Sequence, residues 1–232
     1  SARRAATCSV MPRPKLIKLH GLPLEQTVSR RLPDSSLATT TYRYRYDGWH
    51  LLAEEVSYNG AEAFSLLRSH AWGLDLSQTM GAHGGVGGLL ATTIAENPQT
   101  ATTGDAVTAY PAYDGNGNIT AYILADGSTA AAFTYSPFGE TVSATGDYAE
   151  LQGFRFSTKF HDAHTGLVYY GYRYYDAIQG RWLSRDPIEE LGGLNLYGFA
   201  YNYPVSLYDA MGVQYRCFWQ LLVGSLSVLL QT

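Results

Sequence analysis

The sequence predicts an all-β fold made of antiparallel strands. Aromatic and apolar residues alternate with polar residues at a period of two, and turns rich in glycine, asparagine and aspartate separate the alternating segments. Nowhere between residues 41 and 213 does a helical period persist for about three turns. The 24 glycines and 19 tyrosines agree with this prediction, because aromatic rings fit a pleated sheet and glycine supplies the positive φ of tight turns.

The first strand is predicted to begin at Thr41. Residues 1–40 mix basic residues, proline and serine without a clear period, which predicts a poorly ordered lead-in. The segment "TYRYRYDGWHLLAEEV" then alternates tyrosine with arginine. In a strand, one face would carry the tyrosines and the other the arginines, namely Tyr42, Tyr44 and Tyr46 against Arg43 and Arg45. Asp47-Gly48 predicts the hairpin turn that follows.

Three later segments repeat this pattern of strand and turn. They cover residues 69–80, 111–142 and 154–176. The second contains Tyr113-Asp114 before a glycine and asparagine turn, a strand-like "ITAYIL", and another turn at Asp126-Gly127. A recurring unit of about 20 to 30 residues predicts a stacked β architecture in which no single repeat buries its apolar face alone.

Composition and charge exclude several classes of protein. Only 16% of the residues are charged and the net charge is −4, which argues against a nucleic-acid partner. Cys8 and Cys217 are too few for a disulfide framework or a four-cysteine zinc site. No signal peptide is visible in the first residues. The apolar run at 217–230 is shorter than the roughly 20 residues that span a bilayer, so we expect no membrane span.

Two motifs suggest ligand binding but favour simpler structural roles. "GAHGGVGGLL" at residues 81–90 lacks the Gly-Lys-Ser/Thr ending of a phosphate loop, and a glycine-rich strand or loop where sheets approach closely is the favoured interpretation. His161 and His164 in "HDAH" could bind a metal together with Asp162, but a further partner is missing and a surface turn is favoured. We therefore expect no cofactor and no metal.

Several motifs resemble a known family. "YDGNGN", "YSPFGET", "FRFSTKFHDAHTGLVYYGYRYYDAIQGRWLSRDP" and "GGLNLYGFAYNYP" resemble the YD repeats and the repeat-associated core domain of bacterial Rhs proteins, which are similar to Tc toxin C subunits and teneurins. The resemblance covers about residues 41–213 and implies an antiparallel β-sheet spiral, part of a hollow β-shell. It divides the chain into the lead-in, YD-repeat strands at 41–150, the core at 151–213 and a short apolar C-terminal tail at 214–232.

The resemblance also implies self-cleavage of the aspartyl type. It places the two acids at Asp186, in "SRDP", and Asp209, in "YDAMGV", 23 positions apart, and a supporting arginine at Arg173. Two carboxylates at close range share a proton, so one can act as base and the other as acid. By itself, either aspartate would be an ordinary turn residue. The sequence departs from the family pattern where Ala210 replaces proline and where Val213, rather than leucine, precedes the expected cut.

The implied function is that of a C-terminal shell and core segment of a bacterial Rhs polymorphic toxin. Such a segment would enclose a C-terminal toxin domain and cut itself once after Val213. Its partners would be upstream YD repeats and the toxin domain, in a larger secreted or cell-surface protein. Residues 214–232 are too few for a folded toxin. Two alternatives stay open: a structural or carbohydrate-binding cell-surface YD-repeat module, and an inactive truncated remnant without cargo.

Overall fold

The chain folds almost entirely into β-strands. The computed structural model describes residues 25–31, 37–81, 84–95, 106–213 and 215–217. Within these ranges there are fifteen strands, four 3-10 helices of three or four residues, and no α-helix. All strand pairs in the three sheets are antiparallel. The all-β, antiparallel fold predicted from the sequence is confirmed.

The largest sheet has nine strands, and each lies beside its neighbours in the chain. These strands are β1 Glu25–Arg31, β2 Leu37–Asp47, β3 His50–Tyr58, β4 Ser65–Trp72, β5 Leu89–Ala95, β6 Ala106–Tyr113, β7 Ile119–Leu124, β8 Thr129–Tyr135 and β9 Thr141–Thr145. The order follows from the predicted turns, since a tight turn returns the chain beside the strand that it has just left.

Two smaller sheets follow the large one. The four-stranded sheet contains β10 Phe160–His161, β11 Val168–Tyr169, β12 Tyr174–Asp176 and β13 Arg181–Trp182, and the two-stranded sheet pairs β14 Leu207–Asp209 with β15 Tyr215–Cys217. The 3-10 helices are Ala149–Leu151, Phe156–Thr158, Glu189–Gly192 and Ala200–Asn202. Short strands and single turns of helix in this part of the chain bring distant loops together, which is the basis of the site described below.

The lead-in differs from the prediction where the structure describes it. Strand β1 pairs with β2 from Glu25 opposite Arg43 to Arg31 opposite Leu37, so these residues are part of the sheet and not poorly ordered. The segment "EQTVSRR" has few large apolar residues, so its own strand pattern is weak, and the ladder to β2 supplies the stabilisation. Residues 1–24 and 32–36, like most of the predicted apolar tail, lie outside the described residues.

The alternating tyrosine and arginine residues of β2 face opposite sides, as predicted. Tyr44 is buried in the core of the sheet, and Tyr42 and Tyr46 pack against that core. On the other face, Arg45 is exposed and its Nε donates to Glu55 Oε1 on β3 at 2.8 Å. Asp47 pairs with His50 across the predicted turn at Gly48, which has a φ of +55°.

An aromatic side chain closes the open end of three successive hairpins. At the last residue of an even-numbered strand, the ring donates a hydrogen bond to the carbonyl of a buried residue near the start of the preceding strand. The three bonds run from Trp72 Nε1 to Leu51 (2.8 Å), from the Tyr113 hydroxyl to Leu89 (2.6 Å) and from the Tyr135 hydroxyl to Ile119 (2.6 Å). The repeat seen in the sequence is thus a hairpin with a fixed side-chain bond, which explains the choice of Tyr or Trp over Phe.

Two further tyrosines attach the C-terminal part of the chain to the large sheet. The hydroxyl of Tyr122 on β7 donates to the Phe154 carbonyl at 3.0 Å, and that of Tyr175 on β12 donates to the Phe138 carbonyl at 2.8 Å. Around Tyr175 lies an aromatic cluster formed by Tyr170, Trp182, Phe199 and Phe156. This cluster is the core on which the candidate site rests.

The large sheet also buries a charged network. Glu54 on β3 is 1% exposed and accepts from Arg68 Nη2 at 2.8 Å, while His70 Nε2 lies 3.1 Å from its other oxygen. Burial by itself raises the pKa of Glu54, but Arg68 and His70 outweigh burial and hold that pKa below its usual value. Because both partners reach the carboxylate from β4, the network ties β3 to β4.

Replacing Tyr135 by Phe tests the bonds that close the hairpins. We expect the free energy of unfolding to fall by about 1 kcal/mol, since the ring stays in place while the Ile119 carbonyl loses its donor. The measurement is urea denaturation followed by circular dichroism. Tyr110→Phe is the control, because Tyr110 is 47% exposed and should tolerate the change. Equal losses in the two variants would contradict the role given to the hydroxyl.

Replacing Glu54 by Gln tests the buried network. The pKa of Glu54 is lower in the folded state, so its ionised form stabilises the fold at pH values above the usual carboxyl pKa of 4.5. This stabilisation is lost as the pH falls through the lowered pKa. We therefore expect Glu54→Gln to lower the free energy of unfolding by about 3 kcal/mol near pH 7. This difference from the wild type should shrink as the pH drops below about 4.5. Glu55→Gln, on the same strand, is the control, and a loss independent of pH would refute the electrostatic explanation.

Candidate functional site

A buried arginine brings the two predicted acids together. Arg173, just before β12, is 4% exposed, and its Nη2 donates to Asp186 Oδ2 at 2.9 Å. The same nitrogen lies 3.8 Å from Asp209 Oδ2. Residues that are far apart in the sequence therefore meet at a single guanidinium. The structure thus brings all three predicted site residues together.

The remaining groups of Arg173 are also held by the surrounding chain. Its Nε donates to the Gly212 carbonyl, and its Nη1 donates to the Leu196 carbonyl at 3.1 Å. The guanidinium carbon lies 4.3 Å from the centre of the Trp182 ring. These contacts fix the guanidinium plane and connect β12 and β13 to the segments that carry both aspartates.

Asp209 is the aspartate of a Tyr-Asp turn. It ends β14, and its Oδ1 accepts from the backbone N–H groups of Met211 (3.0 Å), Gly212 (2.6 Å) and Val213 (3.2 Å). Asp114 and Asp176 cap their own turns in the same way. Asp209 therefore caps its turn through one oxygen, while its second oxygen faces Arg173. The carboxylate, and not a proline at position 210, holds this turn.

Asp186 lies in a less polar environment than an ordinary turn aspartate. Its Oδ1 accepts from the Ile188 N–H at 3.0 Å, and the residue is 9% exposed. Burial raises the pKa of Asp186 and the nearby charge of Asp209 adds to that rise, while the Ile188 N–H and Arg173 oppose it. The net direction is upward, so Asp186 keeps a proton more readily than an exposed aspartate.

Both acids line a cavity of about 190 Å³. The lining includes Arg173, Asp186, Asp209, Val213, Gly192, Gly193, Asn195, Gly198 and the strained segment Ala200–Asn202. The three residues of that segment have φ angles of +46°, +49° and +61° although none is glycine. Such strain persists only where surrounding contacts hold it, and it is concentrated at functional sites. Val213, the residue before the expected cut, borders the same space as both carboxylates.

The structure adds one residue that the sequence interpretation missed. Lys159, just before β10, is buried, and its ammonium lies close enough to Asp209 for the two charges to interact. A single lysine in "FSTKFHD" carries no motif, so no signal in the sequence could have identified it. Lys159 comes close to Asp209 because the tertiary structure brings β14, which carries Asp209, beside the segment before β10.

The two motifs that favoured structural roles are explained by the fold. Asp162 caps a turn by accepting from the His164 N–H at 2.9 Å and the Thr165 hydroxyl at 2.9 Å, so "HDAH" is the predicted turn. In "GAHGGVGGLL", the Gly87 N–H donates to Thr158 at 2.8 Å, which is the predicted close approach. Among the described residues, no three His, Cys, Asp or Glu side chains could share a metal ion. The same ranges contain no helix long and apolar enough to cross a membrane.

Comparison with known proteins supports the resemblance seen in the sequence. Residues 107–205 match the family described as Teneurin YD-shell. Toxin subunit YenC2 of Yersinia entomophaga is 44% identical over 91 residues, which cover 38% of this chain and 9% of the relative. Toxin protein Tse5 of Pseudomonas aeruginosa is 44% identical over 62 residues, which cover 27% of this chain and 5% of the relative.

A solved structure shows the same fold. The crystal structure of TcdB2-TccC3 without its hypervariable C-terminal region aligns with 82% of this chain and 8% of that one, with a TM-score of 0.63 and 24% identity. The chain spans less than a tenth of the length of each of these relatives. Residues 107–205 are thus similar to the YD-shell family, part of the chain is similar in sequence to toxin proteins, and the fold is that of the TcdB2-TccC3 shell.

Proposed function

We propose that this segment closes the shell of a larger bacterial toxin and cuts its own chain once, between Val213 and Gln214. The similarity to toxin proteins described above supports the shell role, and the cleavage is the further proposed step. The observation that carries the proposal is the meeting of Asp186, Asp209 and Val213 at one cavity, with Arg173 between the two acids.

The cleavage would use the two carboxyl groups in different roles. A water molecule in the cavity attacks the Val213 carbonyl carbon, and Asp209 takes a proton from this water. At the same time, protonated Asp186 donates its proton to the carbonyl oxygen. The C–N bond to Gln214 then breaks. The proton held by Asp209 passes to the leaving nitrogen, and the proton on the oxygen returns to Asp186. Val213 ends with a carboxyl group and Gln214 begins with an amine.

The environments of the two acids support this division of roles. Asp209 accepts three backbone N–H bonds, which suit a charged carboxylate because that form only accepts. Asp186 has one such bond and a raised pKa, caused mainly by burial, so it is the acid that keeps the proton. Arg173 stays charged throughout and offsets the negative charge that the pair shares.

The enclosed cargo is the second part of the proposal. A chain cut after Val213 would free whatever follows position 213 in the full-length protein from the shell that surrounds it. YenC2 and Tse5 are named as toxins, which supports a toxin domain as the cargo, upstream YD repeats as the rest of the shell, and a secreted or cell-surface location for the whole protein.

Substitution of either acid tests the cleavage. Asp186→Asn and Asp209→Asn should each slow the cut by about a hundredfold to ten-thousandfold, because an amide neither donates nor accepts the required proton. The experiment follows the purified chain by intact-mass measurement over time. The expected wild-type product ends at Val213.

Asp162→Asn is the matched control for the cleavage experiment. Asp162 caps a turn as Asp209 does but lies outside the cavity, so its variant should be cut at the wild-type rate. A wild-type chain that stays intact, or a cut that survives both site substitutions, would leave Asp186 and Asp209 as turn residues. A structural or carbohydrate-binding module would then be the better description.

Extension of the chain tests the proposed shell. Among the described residues, strand β1 is an edge of the nine-stranded sheet, and other strands of that sheet expose Leu66, Leu90 and Val142. An open edge with exposed apolar side chains favours association. We expect the chain extended N-terminally by its own upstream repeats to have a higher Tm and less self-association, by light scattering, than the 232-residue piece. A piece that is already monomeric and gains nothing from extension would contradict the shell.

A further inference from the structure

The glycine-rich loop of the large sheet lies directly against the strand that carries Asp209. Gly84 has a φ of +69°, and a side chain at this position would overlap the Ala210 carbonyl oxygen. Val86 packs with Tyr208 and Ala210 in a small buried cluster. The cleavage described above does not account for this contact between the sheet and the residue next to Asp209.

Lys159 holds this loop in place. Its Nζ donates to the Gly84 carbonyl at 2.6 Å, and the side chain is 5% exposed. The neighbouring Thr158 accepts from the Gly87 N–H at 2.8 Å and donates to the Gly117 carbonyl at 2.7 Å. The loop is thus anchored at both ends to the segment before β10, and only the Lys159 bond carries a charge.

Few charged or titratable groups surround the Lys159 ammonium. Asp75 and Asp209 face it with negative charge, the Tyr170 ring centre lies 5.5 Å from Nζ, and His50 has a pKa lowered mainly by burial. Burial lowers the pKa of Lys159 to about 8, against the opposing effect of Asp209 and Asp75. The ammonium is therefore charged near neutral pH and loses its proton in mildly alkaline solution.

We infer that Lys159 is a positioning residue for the proposed cleavage: its charged amine clamps Gly84 against Ala210 and places a positive charge next to Asp209. The inference rests on the proposed function. Arg173 contacts both acids, whereas the charge of Lys159 acts next to Asp209. Its bond to Gly84 also holds the loop that packs against Ala210, the residue after Asp209. Lys159 therefore helps to hold in place the acid that the proposal uses as the base.

The first experiment measures the cleavage rate of the 232-residue chain at a series of pH values between about 6 and 10. In the wild type, the plot of cleavage rate against pH should bend downward near pH 8, where Lys159 loses its proton. Lys159→Met, which keeps the length of the side chain without its charge, should be cut about tenfold more slowly at neutral pH and lack that bend. Lys159→Arg should move the bend to higher pH. A purely structural role would lower the rate without changing the shape of the profile.

The second experiment does not depend on cleavage. The sequence contains only three lysines, Lys15, Lys18 and Lys159, so carbon-13 labelling of lysine in a chain that carries Lys15→Arg and Lys18→Arg leaves a single lysine signal, that of Lys159. In the uncut Asp186→Asn chain this signal should titrate near pH 8. Adding Asp209→Asn should lower the pKa of Lys159 by about one pH unit. Adding Asp162→Asn, the control, should leave that pKa unchanged.

The outcomes separate the two proposals. A wild-type chain that stays intact overturns the proposed cleavage and this inference with it. A wild-type chain that is cut, combined with a pH profile that Lys159→Met does not alter, overturns the role of Lys159 alone. A pKa of Lys159 that is the same with and without the Asp209 carboxylate also overturns the role of Lys159 alone. This second test does not use Lys159→Met, so it remains possible if that variant fails to fold.

Discussion

The architecture depends on a hydrogen bond between an aromatic side chain and a backbone carbonyl at the open end of three successive hairpins. The part of the chain that the structure describes has no α-helix to cover the sheet, and the two strands of a hairpin are not covalently joined at the end away from their turn. Trp72, Tyr113 and Tyr135 provide a connection there three times in succession. Each ring adds apolar area to the core, while its polar end satisfies a carbonyl next to a buried residue.

The candidate site is a modified version of the same structural unit. Strand β14 ends at Asp209 of Tyr208-Asp209, and β6 ends at Tyr113, directly before Asp114. In both cases the aspartate caps the turn. What differs is the environment, because Asp209 also faces a buried guanidinium and a second carboxyl group. A residue type that the repeat already places at the end of a strand thus gains a different electrostatic environment once Arg173 and Asp186 are packed beside it.

The site and the sheet are mechanically connected. The tyrosine bonds to Phe154 and Phe138, together with the contact of Gly84 with Ala210, attach the C-terminal segments to the large sheet at several points. A buried cluster of one arginine and two acids is costly to desolvate and needs close geometric control. The sheet supplies that control, so the site would not be expected to form on the C-terminal segments alone.

The sequence by itself determined the fold class and the turns, while the two acids were named only through the family resemblance. Period-two alternation and turn residues act over a few positions, so Tyr44 facing the core and Gly48 in its turn could be predicted without tertiary information. Strand β1 could not, because its own pattern is weak and its stability comes from the ladder to β2. The tertiary structure alone decided that Asp186 and Asp209 meet at Arg173 and that Lys159 lies beside Gly84. Burial and charge proximity depend on contacts between segments far apart in the chain, and no local pattern encodes them.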